Sequence, residues 1–493
     1  MASPGRTVAS LDGHPELAAA GPETAAALPF HGLVLVAALA TAILGQGAYY
    51  ATGQRVVGVL VVVAAIAAVR AQAWTRRDAS LSVVAACVAL AIWAVLSAAL
   101  AGSVAGARSM VALLLGVAAV IMVCRRTTAA QRDALVGAVV AIGALSAGTG
   151  WVGVAWRYTP WALQDQGLWR AATTLTYANA AGGLLVPLTL LALAQRAVRP
   201  RSPSLTIASC LMLVGVGATL SRGGALALTI GIAVLALLLG PVRVVRAAGP
   251  PALGAVIALL GLAPSMPASG APRPLLAAGA LLVGLVVAAV LPLLGRRTAT
   301  ALLLLCLVLI AGLIPRFLSG GPALSAITSS RLSFSSSDRV QGARAALRLA
   351  ERRPLTGAGP GRAALFWADA DGRTLTVRYV HNEYLQVLAE LGAVGLALLL
   401  AFLVVVARMA WRGREAVGSP ASWAGVVAAL VALAVHSGLD FLWHLPAIPL
   451  TGALLIGLTT PPVEEGRAST QAASPTAKEE SAQGSLASHE EEQ

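Results

Sequence analysis

Charge is scarce in this chain. Charged residues fill 11% of its 493 positions and aromatics 4%, against 58% hydrophobic. A soluble domain needs about a quarter of its residues charged to cover its surface. A water-covered globule is therefore excluded, and the long apolar runs must find lipid. Lysine is almost missing: Lys478 is the single one, and every other basic residue is arginine. Cysteine is scarce as well. Cys87, Cys124, Cys210 and Cys306 fall in or at the ends of apolar runs with no metal-ligand spacing, which predicts buried thiols. The net charge of +14 is no nucleic-acid footprint. The arginines sit between apolar runs, where they suit lipid headgroups and topology.

What is present is a series of about fourteen runs long enough to cross a bilayer. They fall at 32–51, 56–73, 80–100, 108–124, 133–153, 179–197, 204–220, 223–241, 250–264, 274–294, 299–315, 383–407, 422–438 and 443–459. The run at 250–264 is the shortest and ends in Ala263-Pro264-Ser265-Met266-Pro267. The expected fold is all-α, a polytopic transmembrane bundle of about 12–14 spans with one large extracytoplasmic loop between late spans. Its parts are a cytoplasmic tail (1–31), spans one to eleven (32–315), the loop (316–382), three further spans (383–459) and a disordered cytoplasmic tail (460–493). No cleavable leader is expected, because the polar residues 1–29 run straight into a span-length apolar segment.

Arginine placement tests this order. Counted from a cytoplasmic N-terminus, the inside ends carry Arg76/Arg77, Arg125/Arg126/Arg132, Arg196/Arg199/Arg201, Arg243/Arg246, Arg296/Arg297 and Arg408/Arg412/Arg414. The short outside loops carry Arg55, Arg108, Arg222 and Arg273, one each. That alternation follows the positive-inside rule and needs 250–264 to span. Tyr49, Tyr50, Trp151, Trp156, Trp161, Trp169 and Trp443 then gather outside as an interfacial belt, although Trp74 and Trp411 do the same inside.

Two outside loops exceed what a connection needs. Residues 154–178 carry Arg157 and Arg170, and residues 316–382 carry ten arginines against five acids when Glu383 is counted. Ser335-Ser336-Ser337-Asp338 is an N-cap cluster before a helical stretch stopped by Pro354. Arg344, Arg348 and Arg352 form an i, i+4 stripe on it, read first as a solvated or headgroup-facing surface. Arg339 differs, since a cation in a first helical turn opposes the macrodipole and calls for an anionic partner. Gly357-Ala358-Gly359-Pro360-Gly361-Arg362 lacks the frame of a dinucleotide fingerprint and predicts a close-packed turn pressing the loop onto the membrane helices.

Three other polar groups share that side. Ser221-Arg222-Gly223-Gly224 leaves an arginine at the membrane edge, either snorkelling from a plain turn or facing a polar cavity. His381-Asn382-Glu383-Tyr384 opens a helix, Asn382 as cap and His381 as cap neighbour or proton shuttle. Asp440 lies midway between His436 and His444, a metal-like spacing that reads better as a structural polar cluster. Topology thus delivers Asn179, Arg222, Arg339, His381 and Asp440 to one face, a set suited to a pyrophosphate and a proton transfer. A transporter or channel for an anionic or lipid-linked substrate is the competing reading. It would show repeats and midplane polar residues, whereas these spans are nearly free of charge.

With these residues over about 170–460, the chain resembles the O-antigen ligase / O-antigen polymerase (Wzy/WaaL-like) family of polytopic glycosyltransferases. The motifs are Tyr177-Ala178-Asn179, Ser221-Arg222-Gly223-Gly224, Asp338-Arg339, Pro354 to Gly361, His381 to Gln386, Glu390-Leu391-Gly392 and the His436–Asp440 turn. Ala343 and Ala363 stand where the family commonly has aromatic residues. The resemblance implies transfer of a glycan from an undecaprenyl-diphosphate carrier to a glycan or glycolipid acceptor. The reaction would run at the outer face of the cytoplasmic (inner) membrane, with no metal, cofactor or nucleic acid. It implies His381, Arg222 and Arg339 as catalytic, with Asn179, Arg170, Ser221, Asn382, Tyr384 and Asp440 at the substrate.

Overall fold

A computed structural model describes residues 27–71, 79–295, 297–298, 301, 337–368, 374–415 and 419–463. The expected span at 299–315, both terminal tails and the stretch 316–336 of the large loop lie outside the described residues, save for the few just named. Within them the chain is a helical membrane protein. Its helices are α1 (Phe30–Leu44), α2 (Ala51–Ala71), α3 (Ala79–Leu100), α4 (Ala107–Cys124), α5 (Ala129–Trp156), α6 (Ala178–Val198) and α7 (Pro203–Ala218). There follow α8 (Arg222–Leu239), α9 (Pro241–Leu262), α10 (Pro274–Val290), α11 (Ser337–Arg352), α12 (Glu383–Arg412), α13 (Pro420–Ser437) and α14 (Ala447–Leu458). Among the described residues ten helices are long and apolar enough to cross a membrane, and α1, α7 and α14 are shorter apolar helices. Every expected run within the described residues is a helix. The short run at 250–264 belongs to a longer one, because α9 starts at Pro241 and takes Arg243 and Arg246 into its first turns.

Helix α6 is the axis of the bundle. It is apolar on every side and buried along almost its whole length, as a helix without a polar stripe must be. Close approach there depends on missing side chains: a Cβ on Gly425 of α13 would strike Ala194, and one on Gly231 of α8 would strike Leu190. Lipid supplies no hydrophobic drive between helices, so such small-residue contacts carry the packing.

Arg196, at the end of α6, is also fully buried. It solves a problem created in α9. Pro251 has no N–H, so the Ala247 carbonyl one turn earlier loses its helical partner. The Arg196 guanidinium donates to that carbonyl and to the Pro200 carbonyl at 3.1 Å.

Two antiparallel hairpins interrupt the helices. β1 (Ala162–Asp165) pairs with β2 (Leu168–Ala171), and β3 (Leu365–Ala368) with β4 (Thr374–Val377). The first is fastened to the loop after α9, where the Trp169 N–H donates to the Met266 carbonyl at 2.7 Å and Arg157 donates to the carbonyls of Ser265 and Pro267.

The glycine-rich turn after α11 seats the outer assembly. Helix α12 is not continuous: Gly392 has φ 68° and ψ −170°, dividing a short entry helix from the spanning part. The break deprives the carbonyls of Ala389 and Glu390 of helical donors, and the N–H groups of Ala358 and Gly359 take their place at 2.9 Å each. In return Ala393 N–H donates to the Pro354 carbonyl at 2.7 Å. Ser97 and Trp93 of α3 close the junction by donating to the carbonyls of Thr356 and Leu391.

Two outcomes test this fold. Gly392→Ala places a Cβ against the Leu355 carbonyl in a conformation essentially reserved for glycine, and should cost about 1–3 kcal/mol; thermal unfolding in detergent reads the loss. Arg196→Met should cost about 1.5–3 kcal/mol. That cost should shrink in a Pro251→Ala background, where the restored N–H serves Ala247; equal costs in both backgrounds would refute the pairing.

Candidate active site

Asp440 is the centre on which the polar residues converge. It lies in the turn between α13 and α14, with 1% of its surface exposed. The Asp440 N–H bonds the carbonyl of His436 at 3.1 Å, which holds the turn to the end of α13. One carboxylate oxygen accepts from the Tyr177 hydroxyl at 2.8 Å, from the Phe441 N–H at 2.9 Å and from His381 Nδ1 at 3.1 Å. The other accepts from Asn179 Nδ2 at 2.5 Å and lies 3.6 Å from Arg339 Nη2. Burial alone would raise this carboxyl's pKa. The His381 contact, the Tyr177 hydroxyl and the Phe441 N–H outweigh burial and hold it below the usual carboxylate range. Tyr177 moves the other way, because burial and the neighbouring Asp440 charge push its phenol up, so it remains a donor.

Each partner arrives on a different element. Tyr177 is the N-cap residue of α6 and Asn179 lies in that helix's first turn. Arg170, on β2, reaches Asn179 Oδ1 with Nη2 at 2.9 Å, Asp165 with Nη1 at 2.6 Å and the Thr219 carbonyl with Nε at 2.8 Å. Thr219 precedes α8, and its hydroxyl accepts the Ser221 N–H at 3.1 Å. Ser221 caps α8 by accepting from Gly224 N–H at 3.1 Å, and Arg222 is the helix's first residue. Arg339 comes from the first turn of α11, and His381 immediately precedes the cap of α12.

The other two expected residues brace the site from behind. Asn382 caps α12 through Leu385 N–H at 3.0 Å and donates to the Gly438 carbonyl at 2.9 Å. Tyr384 donates to the Ala434 carbonyl at 2.8 Å. Both tie the α12 entry to α13 beside Asp440.

His436 and His444 do not join Asp440 in a common ligand set. His436 is buried against α8, where a Cβ on Gly223 would lie 2.9 Å from its Nε2, and neither of its ring nitrogens has a hydrogen-bond partner among the described residues. His444 turns to Glu383, Nδ1 to Oε1 3.6 Å. Among the described residues no group of three His, Cys, Asp or Glu side chains could hold a metal.

Sequence reasoning missed Phe441, whereas Glu383, Gln386 and Glu390 fall inside the helix-entry motifs it singles out. Phe441 stacks between Tyr177 and Tyr379, with ring centroids 5.0 Å and 5.2 Å away, and His381 tilts against it at 5.2 Å. Glu383, Gln386 and Glu390 are all buried on α12, with Gln386 Nε2 donating to Glu390 at 2.7 Å and its Oε1 accepting from Val380 N–H at 2.7 Å. Their i, i+3, i+7 spacing marks one helical face. Nothing local singled out Phe441.

Chemically, the arrangement offers a histidine oriented by a buried carboxylate, with Arg339 on that same carboxylate. Because the ionised Asp440 can only accept, His381 Nδ1 carries the proton toward it and Nε2 is left as the other, basic nitrogen. His381 is about one-third exposed and Arg339 more so, so both reach the surface of the cluster.

No curated protein matches the chain. Residues 207–400 match the family model Wzy_C, O-Antigen ligase. That stretch holds Ser221, Arg222, Arg339, His381, Asn382 and Tyr384, while Arg170, Asn179 and Asp440 lie outside it. Over that stretch, less than half of the chain, the protein is similar to the O-antigen ligase family.

Proposed function

We propose that the protein transfers a glycan from an undecaprenyl-diphosphate carrier to a hydroxyl of a glycan or glycolipid acceptor, at the extracytoplasmic face of the cytoplasmic membrane. The observation that carries this reading is the His381–Asp440 contact at 3.1 Å with Arg339 on the same carboxylate. In the reaction, the acceptor oxygen forms a bond to the anomeric carbon of the donor sugar while the bond from that carbon to the diphosphate oxygen breaks. The electron pair leaves with the diphosphate, and the hydroxyl proton passes to His381 Nε2. In this reading Arg339 and Arg222 stabilise the charge developing on the leaving group.

Asp440 has two duties here. It fixes the His381 tautomer and ring, and it favours the imidazolium that forms when the proton arrives, the logic of a histidine–carboxylate pair. Through Asn179 it also anchors Arg170, which joins the first hairpin to the site. The acidic network of Glu383 and Glu390 supports the α12 entry helix from which His381 projects.

Released carrier diphosphate, measured with purified protein and an undecaprenyl-diphosphate glycan, tests the assignment. His381→Ala should lower the rate by about 10²–10⁴-fold. Arg339→Ala and Arg222→Ala should each lower it by about 10²–10³-fold. Unchanged release in all three variants would overturn the reading.

Asp440 sets a pH signature. Its folded pKa lies below its unfolded value of about 3.9, so its contribution to stability is present above that value and is lost as pH falls through the lower folded one. The melting-temperature gap between wild type and Asp440→Asn should therefore stay level from neutral pH down to about 5 and narrow only below about 4. A gap that widens on acidification would contradict the assigned ionisation.

A further inference from the structure

Helix α11 has two functional edges, and only one belongs to the site above. Arg339 points to Asp440. Gly342, Ala345, Ala346 and Ala350 are buried, Ala345 and Ala346 in a cluster with Leu365 of β3 and Ala389 of α12. What remains outward is Val340, Arg344, Leu347, Arg348, Glu351 and Arg352, with Arg353 and Leu355 continuing past the helix end. Four exposed arginines against one exposed acid, beside exposed aliphatic side chains, make a cationic amphipathic face.

The height of this face is fixed by its attachments. Arg362 donates to the carbonyl of Ala101, the first residue beyond α3, and the Pro360 carbonyl sits against Gly106, the residue before α4. Pro354 accepts from Ala393, where the spanning part of α12 begins. The C-terminal end of α11 is therefore held at the level where three membrane helices stop.

We infer that the outward face of α11 is an interfacial surface that docks on anionic phospholipid headgroups, with its arginines on the phosphates and Val340 and Leu347 toward the acyl boundary. Charge complementarity selects the partner: arginine forks match phosphate geometry, and a helix with cationic and aliphatic residues side by side lies in the headgroup plane. Docking on this edge would steady the opposite edge, because Arg339 shares the helix. The inference does not depend on the reaction proposed above, since it concerns a face that does not touch the site.

Hydrogen exchange of the α11 amides tests it, with the full chain in nanodiscs of phosphatidylcholine alone or of phosphatidylcholine with phosphatidylglycerol. Each basic residue near an anionic surface contributes roughly five-fold in partitioning, so exchange should slow by about ten-fold or more with phosphatidylglycerol, and added salt should reverse the effect. Arg344→Gln/Arg348→Gln/Arg352→Gln should abolish the lipid dependence, and as a surface change it should leave the melting temperature of the whole protein in place. Equal exchange in the two lipids, or the same slowing in the triple variant, would overturn the inference. Slowing by a soluble anionic glycan in neutral discs, without any effect of phosphatidylglycerol, would also overturn it and assign the face to polysaccharide.

Discussion

A carboxylate removed from water is the constraint to which the outer half of this molecule answers. An ionised group buried as Asp440 is costs several kcal/mol unless donors surround it. The chain supplies them from a helix cap (Tyr177), a helix first turn (Asn179), a loop helix (Arg339) and a helix entry (His381). Moving any of these elements would leave the charge under-solvated. The elements that look like separate loops therefore share one electrostatic reason to be where they are. The aromatic rings of Tyr177, Phe441 and Tyr379 stack alongside, which limits water near the carboxylate and strengthens each polar contact in the cluster.

Backbone hydrogen bonding supplies a second layer of order, independent of charge. Where α12 breaks and where α9 carries Pro251, carbonyl groups lose their helical partners. The first is repaired by a glycine-rich turn that brings N–H groups to within bonding distance, the second by a buried arginine. Both repairs join elements remote in sequence, so an irregularity inside one helix becomes an attachment point for another. In a membrane setting this follows from the absence of water to satisfy such groups.

Much of the architecture was legible because hydropathy is a strong local signal. The runs at 56–73 and 274–294 needed nothing beyond their own composition to be read as helices, and the structure has α2 and α10 there. Arginine placement likewise brought Arg222, Arg339, His381, Asn179 and Asp440 to one side before any coordinates. What could not be read depends on partners distant in the chain. Gly392 looks like any helical glycine until the Leu355 carbonyl is seen pressed against it. Arg196 resembles a topology signal, and only the position of Ala247 reveals its task. The hairpins at 162–171 and 365–377 are too short for periodicity to declare. The central role of Asp440 was hidden for the same reason: its ligands are spread across the chain, and its spacing from two histidines suggested a different set.

The span between Asn179 and Asp440 is 261 residues, and they meet in one hydrogen bond. Such separation sets an order of assembly. Arg339 on α11 and His381 both precede Asp440 in the chain, so during synthesis they must wait for the α13–α14 turn before their shared counter-charge exists. Until then Arg170 has Asp165, five residues away, as a local ion-pair partner. The nearby aspartate gives the first hairpin a self-contained electrostatic balance, so it can form early and hold Asn179 of α6 through Arg170 before Asp440 arrives.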